Sequence, residues 1–406
     1  MHAAVGRVAA VALLSACVPL QPARCEPVGG VEGPFRLERL APLGERLRYA
    51  DRGLEWVSAD ADAAFWVGLR FQTRVDTDSG NLVTVGDLIG GGGDVFDLRR
   101  GRLKGGADFF DDALLLYSEY DWRSDTLLDY RATATHDGWL GLRVGQWKSD
   151  YNRERVDSSG KQQLVERSLS NFWFTVDRQA GVVASARLAE GSRRDTKLWL
   201  GLLSGQGRGG GFDSRSGLAL ARWQWNPAGE VLPFSQSDFV RRPSPVSSIA
   251  LATVFGRTPF TRFSGSGGGD LPGFDRGDYD LRQFLIETAW HYRGIAWQQE
   301  LHWKDFEDRA TGETTRLIGG YAQVGSFLNE WRPAIPPQLE LVARGSLVDP
   351  DRSLNNNSQS EWTLGANWFI NGHRNKLTAD VSWLDVDSPA GDASQTRFRL
   401  QWELSI

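Results

Sequence analysis

The chain has 406 residues, among them 46 Gly, 17 Trp, 20 Phe and a single Met, and it carries 46 basic against 51 acidic residues for a net charge of −5. Mean hydropathy is polar at −0.37, no apolar run long enough for a helical span follows the first 25 residues, and a 3.6-residue period is scarce, which excludes a bundle of membrane-crossing helices and argues against a soluble α/β enzyme. No basic run marks a nucleic-acid surface.

Residues 1–25 read as an export leader, with Arg7 before a short apolar run over 8–14 that is too short to span a membrane as a helix. Two processing sites compete. Ala23-Arg24-Cys25 has the small residues of an ordinary signal-peptidase site, and Leu14-Ser15-Ala16-Cys17 resembles a lipoprotein signal. The first is expected, because a barrel of many strands gains little from one lipid chain. Cys17 and Cys25 then leave with the leader, and with them disulfides, Cys-ligated metals and Cys nucleophiles. Residues 26–63, with Pro27, Pro34 and Pro42, show no clean period and are expected as a periplasmic lead-in, with extended structure starting at Gly53-Leu54-Glu55.

The wall of a transmembrane antiparallel β-barrel is expected over 64–406. In its first segment Phe65, Val67, Leu69 and Phe71 share one face, and Trp66, Gly68, Arg70, Gln72 and Arg74 share the other. The apolar set should meet lipid and the polar set the lumen. About sixteen such segments follow one another, within the range of bacterial barrels. The last is the cleanest: Phe398, Leu400, Trp402, Leu404 and Ile406 against Arg397, Arg399, Gln401, Glu403 and Ser405. Both termini then lie on the periplasmic side. The long connections 77–94, 149–179, 205–215, 256–282, 306–313, 349–360 and 386–394 face outward, while 227–246 is an unusually long inward one. Trp122, Trp139, Trp147, Trp173, Trp290, Tyr292, Trp297, Trp303, Trp362, Trp368, Trp383 and Trp402 lie near segment ends, where two interfacial girdles are expected.

One stretch breaks the alternation. From 148 to 179 the chain carries Lys148, Arg153, Arg155, Lys161, Arg167 and Arg178, with hydroxyls at Ser158 and Ser159. It is too long for a hairpin turn. It is expected to fold into the lumen as a constriction loop over 149–179 and present cations to whatever passes. Arg100, Arg102 and Lys104 alternate along one strand face. That face should be lumenal, since a lipid-facing Arg near the midplane costs roughly 2–4 kcal/mol. Arg99 should point the other way unless it sits at the rim or on a bulge. Ordinary lumenal charge paired with acids, as in many porins, would look the same by spacing alone. No enzymatic constellation stands out. His2, His136, His291, His302 and His373 lack metal-ligand spacing, and there is no G-x-S-x-G elbow or Walker-type loop. Neither a metal nor a cofactor is expected.

The run Leu98-Arg99-Arg100-Gly101-Arg102-Leu103-Lys104-Gly105-Gly106 is similar to the paired-arginine strand of the phosphate-selective porin O and P family. Arg153-Glu154-Arg155, Ser158-Ser159 and Val165-Glu166-Arg167-Ser168-Leu169 resemble that family's constriction-loop segment. Gly319-Gly320-Tyr321-Ala322-Gln323-Val324-Gly325 and Leu364-Gly365-Ala366-Asn367-Trp368-Phe369 resemble its later strands. The resemblance implies a sixteen-stranded trimeric porin whose central arginines bind an anion. By the same resemblance, Arg70 matches the first-strand arginine, Arg99 and Arg100 match the pair, and Asp129 matches an acid near the site. Arg155 stands where phosphate-selective members place a lysine. A further family lysine has no counterpart, its place falling at Leu115 or a neighbour. Arg70, Arg99, Arg100 and Arg155 are therefore the candidate solute-binding residues. Arg74, Arg102, Lys104, Asp129, Arg143, Arg153 and Ser158 are further candidates along the pore.

The function expected is passive uptake of anionic solutes, phosphate or polyphosphate, across the bacterial outer membrane. The alternatives are a general diffusion porin without strong anion selectivity and, least supported, a barrel-embedded enzyme. The expected partners are the lipid bilayer, lipopolysaccharide, small anions and two further copies of the chain in a homotrimer, with no nucleic acid.

Overall fold

The computed structural model describes residues 47–50, 52–58, 62–78, 95–263, 267–387 and 391–406. The expected leader, most of the lead-in and most of the 77–94 connection lie outside the described residues. Within the lead-in, β1 (Leu47–Ala50) and β2 (Gly53–Val57) form a short hairpin. Sixteen longer strands follow: β3 (Ala63–Asp78), β4 (Val95–Phe109), β5 (Leu114–Asp121), β6 (Thr126–His136), β7 (Leu140–Lys148), β8 (Arg178–Leu188), β9 (Thr196–Leu203) and β10 (Gly217–Trp225). They continue with β11 (Val246–Thr258), β12 (Tyr279–Tyr292), β13 (Ile295–Asp308), β14 (Thr314–Ser326), β15 (Leu339–Asp349), β16 (Gln359–Asn371), β17 (Asn375–Val386) and β18 (Ala393–Ser405).

Each of these strands pairs antiparallel with the next, and β18 pairs back onto β3, with Arg399 opposite Asp76 and Leu404 opposite Phe71. That pairing closes the barrel and leaves no free edge along the membrane. The β1–β2 hairpin takes over along β3 where β18 ends. Leu54 lies opposite Val67, and Leu69 exchanges backbone hydrogen bonds with Ile406. Gly68 sits at this three-way junction, where a Cβ would come within 2.4 Å of the Arg52 carbonyl oxygen.

The alternation holds where the outer face meets lipid. Phe65, Val67 and Leu69 on β3 and Phe398, Leu400 and Trp402 on β18 are exposed, while Arg70, Gln72, Arg74, Arg397, Arg399, Gln401 and Glu403 are buried inward. The polar-lumen expectation holds only in part on the opposite arc, where apolar inward residues alternate along the strands with polar ones such as Arg222, Gln283, Glu287 and Lys304. There the inward residues Leu218, Leu220, Ala252, Val254, Leu281, Leu285 and Phe306 join an apolar cluster with Phe172, Trp173, Phe174, Phe263 and Leu271 from two connections. The connections exclude water from that part of the lumen, so the wall beneath them gains by being apolar. Two of the expected girdle residues, Trp147 and Trp173, belong to this inner cluster, and Tyr292 is also buried. Trp139, Trp362, Trp368, Trp383 and Trp402 stay on the outer surface.

Candidate functional site

The connection after β7 enters the barrel and carries two short helices, α1 (Arg153–Val156) and α2 (Leu169–Phe174). Its unpaired backbone groups are met by side chains of the wall, as buried amides require. At the start of α1, the Arg153 amide donates to Glu287 at 2.9 Å and the Glu154 amide to Glu300 at 2.6 Å. At α2, the Leu169 amide donates to Glu361 at 2.7 Å, and Lys304 Nζ donates to the Trp173 carbonyl at 3.0 Å near the other end. Between the helices, the Val165 amide donates to Asp380 at 2.9 Å and Lys376 Nζ to the Gln162 carbonyl at 2.5 Å. The connection at 226–245 reaches in from the opposite end. The Gln236 amide donates to the Lys161 carbonyl, and Gln236 Oε1 accepts from the Gln163 amide.

The loop therefore lies against β12 to β17, whose inward polar side chains are almost fully buried beneath it. On the facing arc, Arg100, Arg102, Lys104, Tyr117, Arg131, Arg143, Lys148 and Lys197 keep partial exposure. This is the water-accessible side of the lumen, and its cations outnumber the acids Glu119, Asp121, Asp129 and Asp150 that pair with Arg102, Arg131 and Arg143.

Its centre is Glu166 on the loop. Arg74 Nη2 donates to Glu166 Oε1 at 2.6 Å, Arg100 Nη2 lies 3.4 Å from both carboxylate oxygens, and Arg99 Nε lies 3.5 Å from Oε1. A β-bulge brings both members of the arginine pair here. Gln72 faces Arg100 and Thr73 faces Leu98, so Arg99 is an extra residue with no partner across the ladder. A bulge turns two successive side chains toward one surface. Arg100 Nη1 also donates to Gln72 Oε1 at 2.9 Å, and Gln72 Nε2 donates to Glu403 at 2.7 Å.

The remaining candidates fall into separate groups. Arg70 donates to Ser158 Oγ at 3.0 Å and Ser159 Oγ at 2.7 Å, next to Gln72. Arg155 is taken by Asp177, with Nε at 2.6 Å and Nη2 at 2.5 Å from one oxygen, and is not among the arginines on Glu166. Arg102 pairs with Glu119 at 2.6 Å and Asp121 at 3.1 Å. Lys104 keeps partial exposure on the same inward face of β4. Asp129 accepts from Arg178 at 2.5 Å and Arg131 at 3.1 Å, and Arg143 donates to Asp150 at 2.9 Å. Arg153 is buried on the far side of the loop, donating to the Pro233 carbonyl with its guanidinium over the Phe234 ring.

Gln72 and Glu403 stand on the lumenal faces that the alternation assigns, whereas Glu166 is a site residue that no spacing argument selects. Glu166 reaches the arginines from a segment without register, and only its place in a cationic loop and in the run Val165-Glu166-Arg167-Ser168-Leu169 hinted at it.

The loop carboxylates are tuned in opposite directions. Burial would raise Glu166, but Arg74, Arg100 and Arg99 hold its carboxyl well below the usual range. Glu154 is pushed up to about 7 by burial and by Glu300, against Arg344 and the Ser168 hydrogen bonds. Asp157 is pushed up to about 7 by burial, with Glu287 and Glu300 adding and Arg153 and Arg167 opposing. Among the described residues, no group of three or more His, Cys, Asp or Glu could hold a metal ion.

The family model described as phosphate-selective porin O and P matches residues 72–405. No curated protein matches the chain in sequence. Among solved structures, the chain is similar to an anion-selective porin from Comamonas acidovorans, with a TM-score of 0.57 at 9% identity over 85% of this chain and 100% of that one. It is also similar to the trimer form of OmpT, an outer-membrane protein of Vibrio cholerae, at 0.53 and 8% over 85% and 99%. The outer-membrane channel DcaP of Acinetobacter baumannii gives 0.52 and 9% over 86% and 99%. At these identities the likeness is one of fold.

Proposed function

The chain belongs to the phosphate-selective porin O and P family, and on that premise we propose that it carries small oxyanions passively past a constriction whose selectivity is set by Arg74, Arg99 and Arg100. Family and fold make it a bacterial outer-membrane channel rather than an enzyme. The observation that carries the selectivity reading is the convergence of three guanidiniums on the Glu166 carboxylate, beside the exposed arc of the lumen, with Asp76 as a second acid 3.6 Å from Arg74. Two carboxylates, Glu166 and Asp76, stand against three guanidiniums and leave one positive charge in excess. The excess attracts anions, and in a narrow low-dielectric pore it is less screened than on a surface. Arg70, with Ser158 and Ser159, adds a polar step beside it. Phosphate is the solute the family description favours, since guanidinium–phosphate pairs are charge-assisted and multidentate. Binding must stay weak enough for release.

A general diffusion porin is the second reading, favoured by the acid partners of Arg102, Arg143 and Arg155. Reversal potential under a potassium chloride gradient separates the two. The proposal expects a potential on the anion side, and one near zero favours general diffusion. The outer faces contact lipid and, in the outer leaflet, lipopolysaccharide. We also propose a homotrimer, in line with the family and with the trimer form of the Vibrio cholerae neighbour. Cross-linking in mild detergent that captures only monomer contradicts it.

A further inference from the structure

Resting on the reading of Arg74, Arg99 and Arg100 as the anion site, we infer that Glu166 is a resident competing anion, which a solute displaces only when it offers more oxygens than a carboxylate.

The contacts of Glu166 are uneven. One is short, Arg74 at 2.6 Å, while Arg100 and Arg99 stand off at 3.4 and 3.5 Å. Guanidinium–carboxylate pairs favour two parallel short bonds, and none of the three arginines makes that arrangement with Glu166. Two oxygens on a tether under-fill a site built by three guanidiniums. A tetrahedral oxyanion, with three or four oxygens pointing apart, serves all three at once. A free monocarboxylate has the same two oxygens as Glu166 and no tether, so it loses the competition.

Displacement needs no loop motion. The backbone on either side is held to the wall: the Val165 amide donates to Asp380 at 2.9 Å, the Glu166 carbonyl accepts from Arg344 Nη1 at 2.9 Å, and Arg167 Nε donates to the Glu154 carbonyl at 2.8 Å. Only the Glu166 side chain, 16% exposed, is left to swing. The carboxylate therefore leaves and returns by side-chain rotation alone, without the slower collective motion of a loop. When it returns it helps expel the bound anion. The arginines keep their other partners throughout: Arg74 donates to Gln401 at 3.1 Å, and Arg100 to Gln72 at 2.9 Å.

The test is block of chloride current through single channels in planar bilayers, with inorganic phosphate and acetate as probes, for wild type, Glu166→Gln and Arg99→Ala/Arg100→Ala. Heat-modifiable migration checks assembly. Should Glu166→Gln not assemble, Glu166→Asp draws the carboxylate back by one methylene and carries the same test. The expected result is a half-blocking phosphate concentration about tenfold lower in Glu166→Gln, the scale on which a tethered group at millimolar effective concentration competes. Acetate, inert on wild type, should block Glu166→Gln by taking the vacated place. A Glu166→Gln channel that phosphate blocks no better than wild type, or that acetate leaves open, overturns the inference. Persistence of phosphate block in Arg99→Ala/Arg100→Ala would instead remove the anion-site reading beneath it.

Discussion

Arg99 and Arg100 are neighbours in sequence, yet both approach Glu166 from the same side of β4, because Arg99 is the unpaired residue of a bulge. Without the bulge, strand alternation would send one of them into lipid. Cysteine accessibility tests this directly, since the chain's two cysteines, Cys17 and Cys25, both lie within residues 1–25, away from the barrel strands. Arg99→Cys should react with an anionic, membrane-impermeant thiol reagent and lose conductance. Leu98→Cys, which faces outward opposite Thr73, should stay inert. The reverse pattern would place Arg99 on the lipid face.

Arg155 offers a contrast. The resemblance implies a solute-binding role for it, but Asp177 takes its guanidinium and both groups are buried. Removing one partner of a buried pair costs on the order of 3–5 kcal/mol. Arg155→Ala should therefore lower thermal stability clearly while moving selectivity less than Arg100→Ala. Equal selectivity losses with unchanged melting would restore Arg155 to the anion site.

The loop is anchored by wall carboxylates. Glu300 accepts from the Glu154 amide and from Asn152 Nδ2. Glu300→Ala leaves those buried donors unpaired, at roughly 1–3 kcal/mol each. The expected outcome is a noisier open state in single-channel records with the barrel intact. Traces as quiet as wild type would mean the loop does not need this anchor.

Much of this architecture is legible in the sequence. β18 can be read residue by residue, because one face meets lipid and the other a charged lumen. β12 is harder. It begins at Tyr279 rather than near 283, since inward Leu281 and Leu285 pack on the loop cluster and blur the alternation. Trp147 and Trp173 look like interfacial residues until the loop buries them. The arginine pair was visible, but its partner was not. Glu166 comes from a segment with no periodicity, and only tertiary contact assigns it to Arg74, Arg99 and Arg100. The same lack of register hides the Asp177 contact that withdraws Arg155.

Stability should depend on pH through Glu154 and Asp157. Both carboxyls are raised to about 7 in the folded protein, chiefly by burial. An acid raised on folding favours its neutral form there, so stability is full below the ordinary carboxylate range and falls as pH climbs toward 7. A shift of this size corresponds to on the order of 3 kcal/mol. Melting in detergent should occur at a lower temperature at pH 8 than at pH 5, and Glu154→Gln/Asp157→Asn should flatten the difference. Glu166 has the opposite sign. Its pairing is complete above the ordinary range and is lost only as pH falls through its depressed value, so it holds across this window. Equal melting at both pH values in the wild type contradicts the assignment.

On the proposed function, the arginines around Glu166 set the selectivity of the pore. The most direct measurement is reversal potential under a tenfold potassium chloride gradient, for wild type and Arg99→Ala/Arg100→Ala at matched conductance. The expected result is anion preference in the wild type and a clear shift toward cations in the double variant, with the barrel still folded, because lumenal positions tune selectivity more than stability. Equal potentials for the two channels would contradict it.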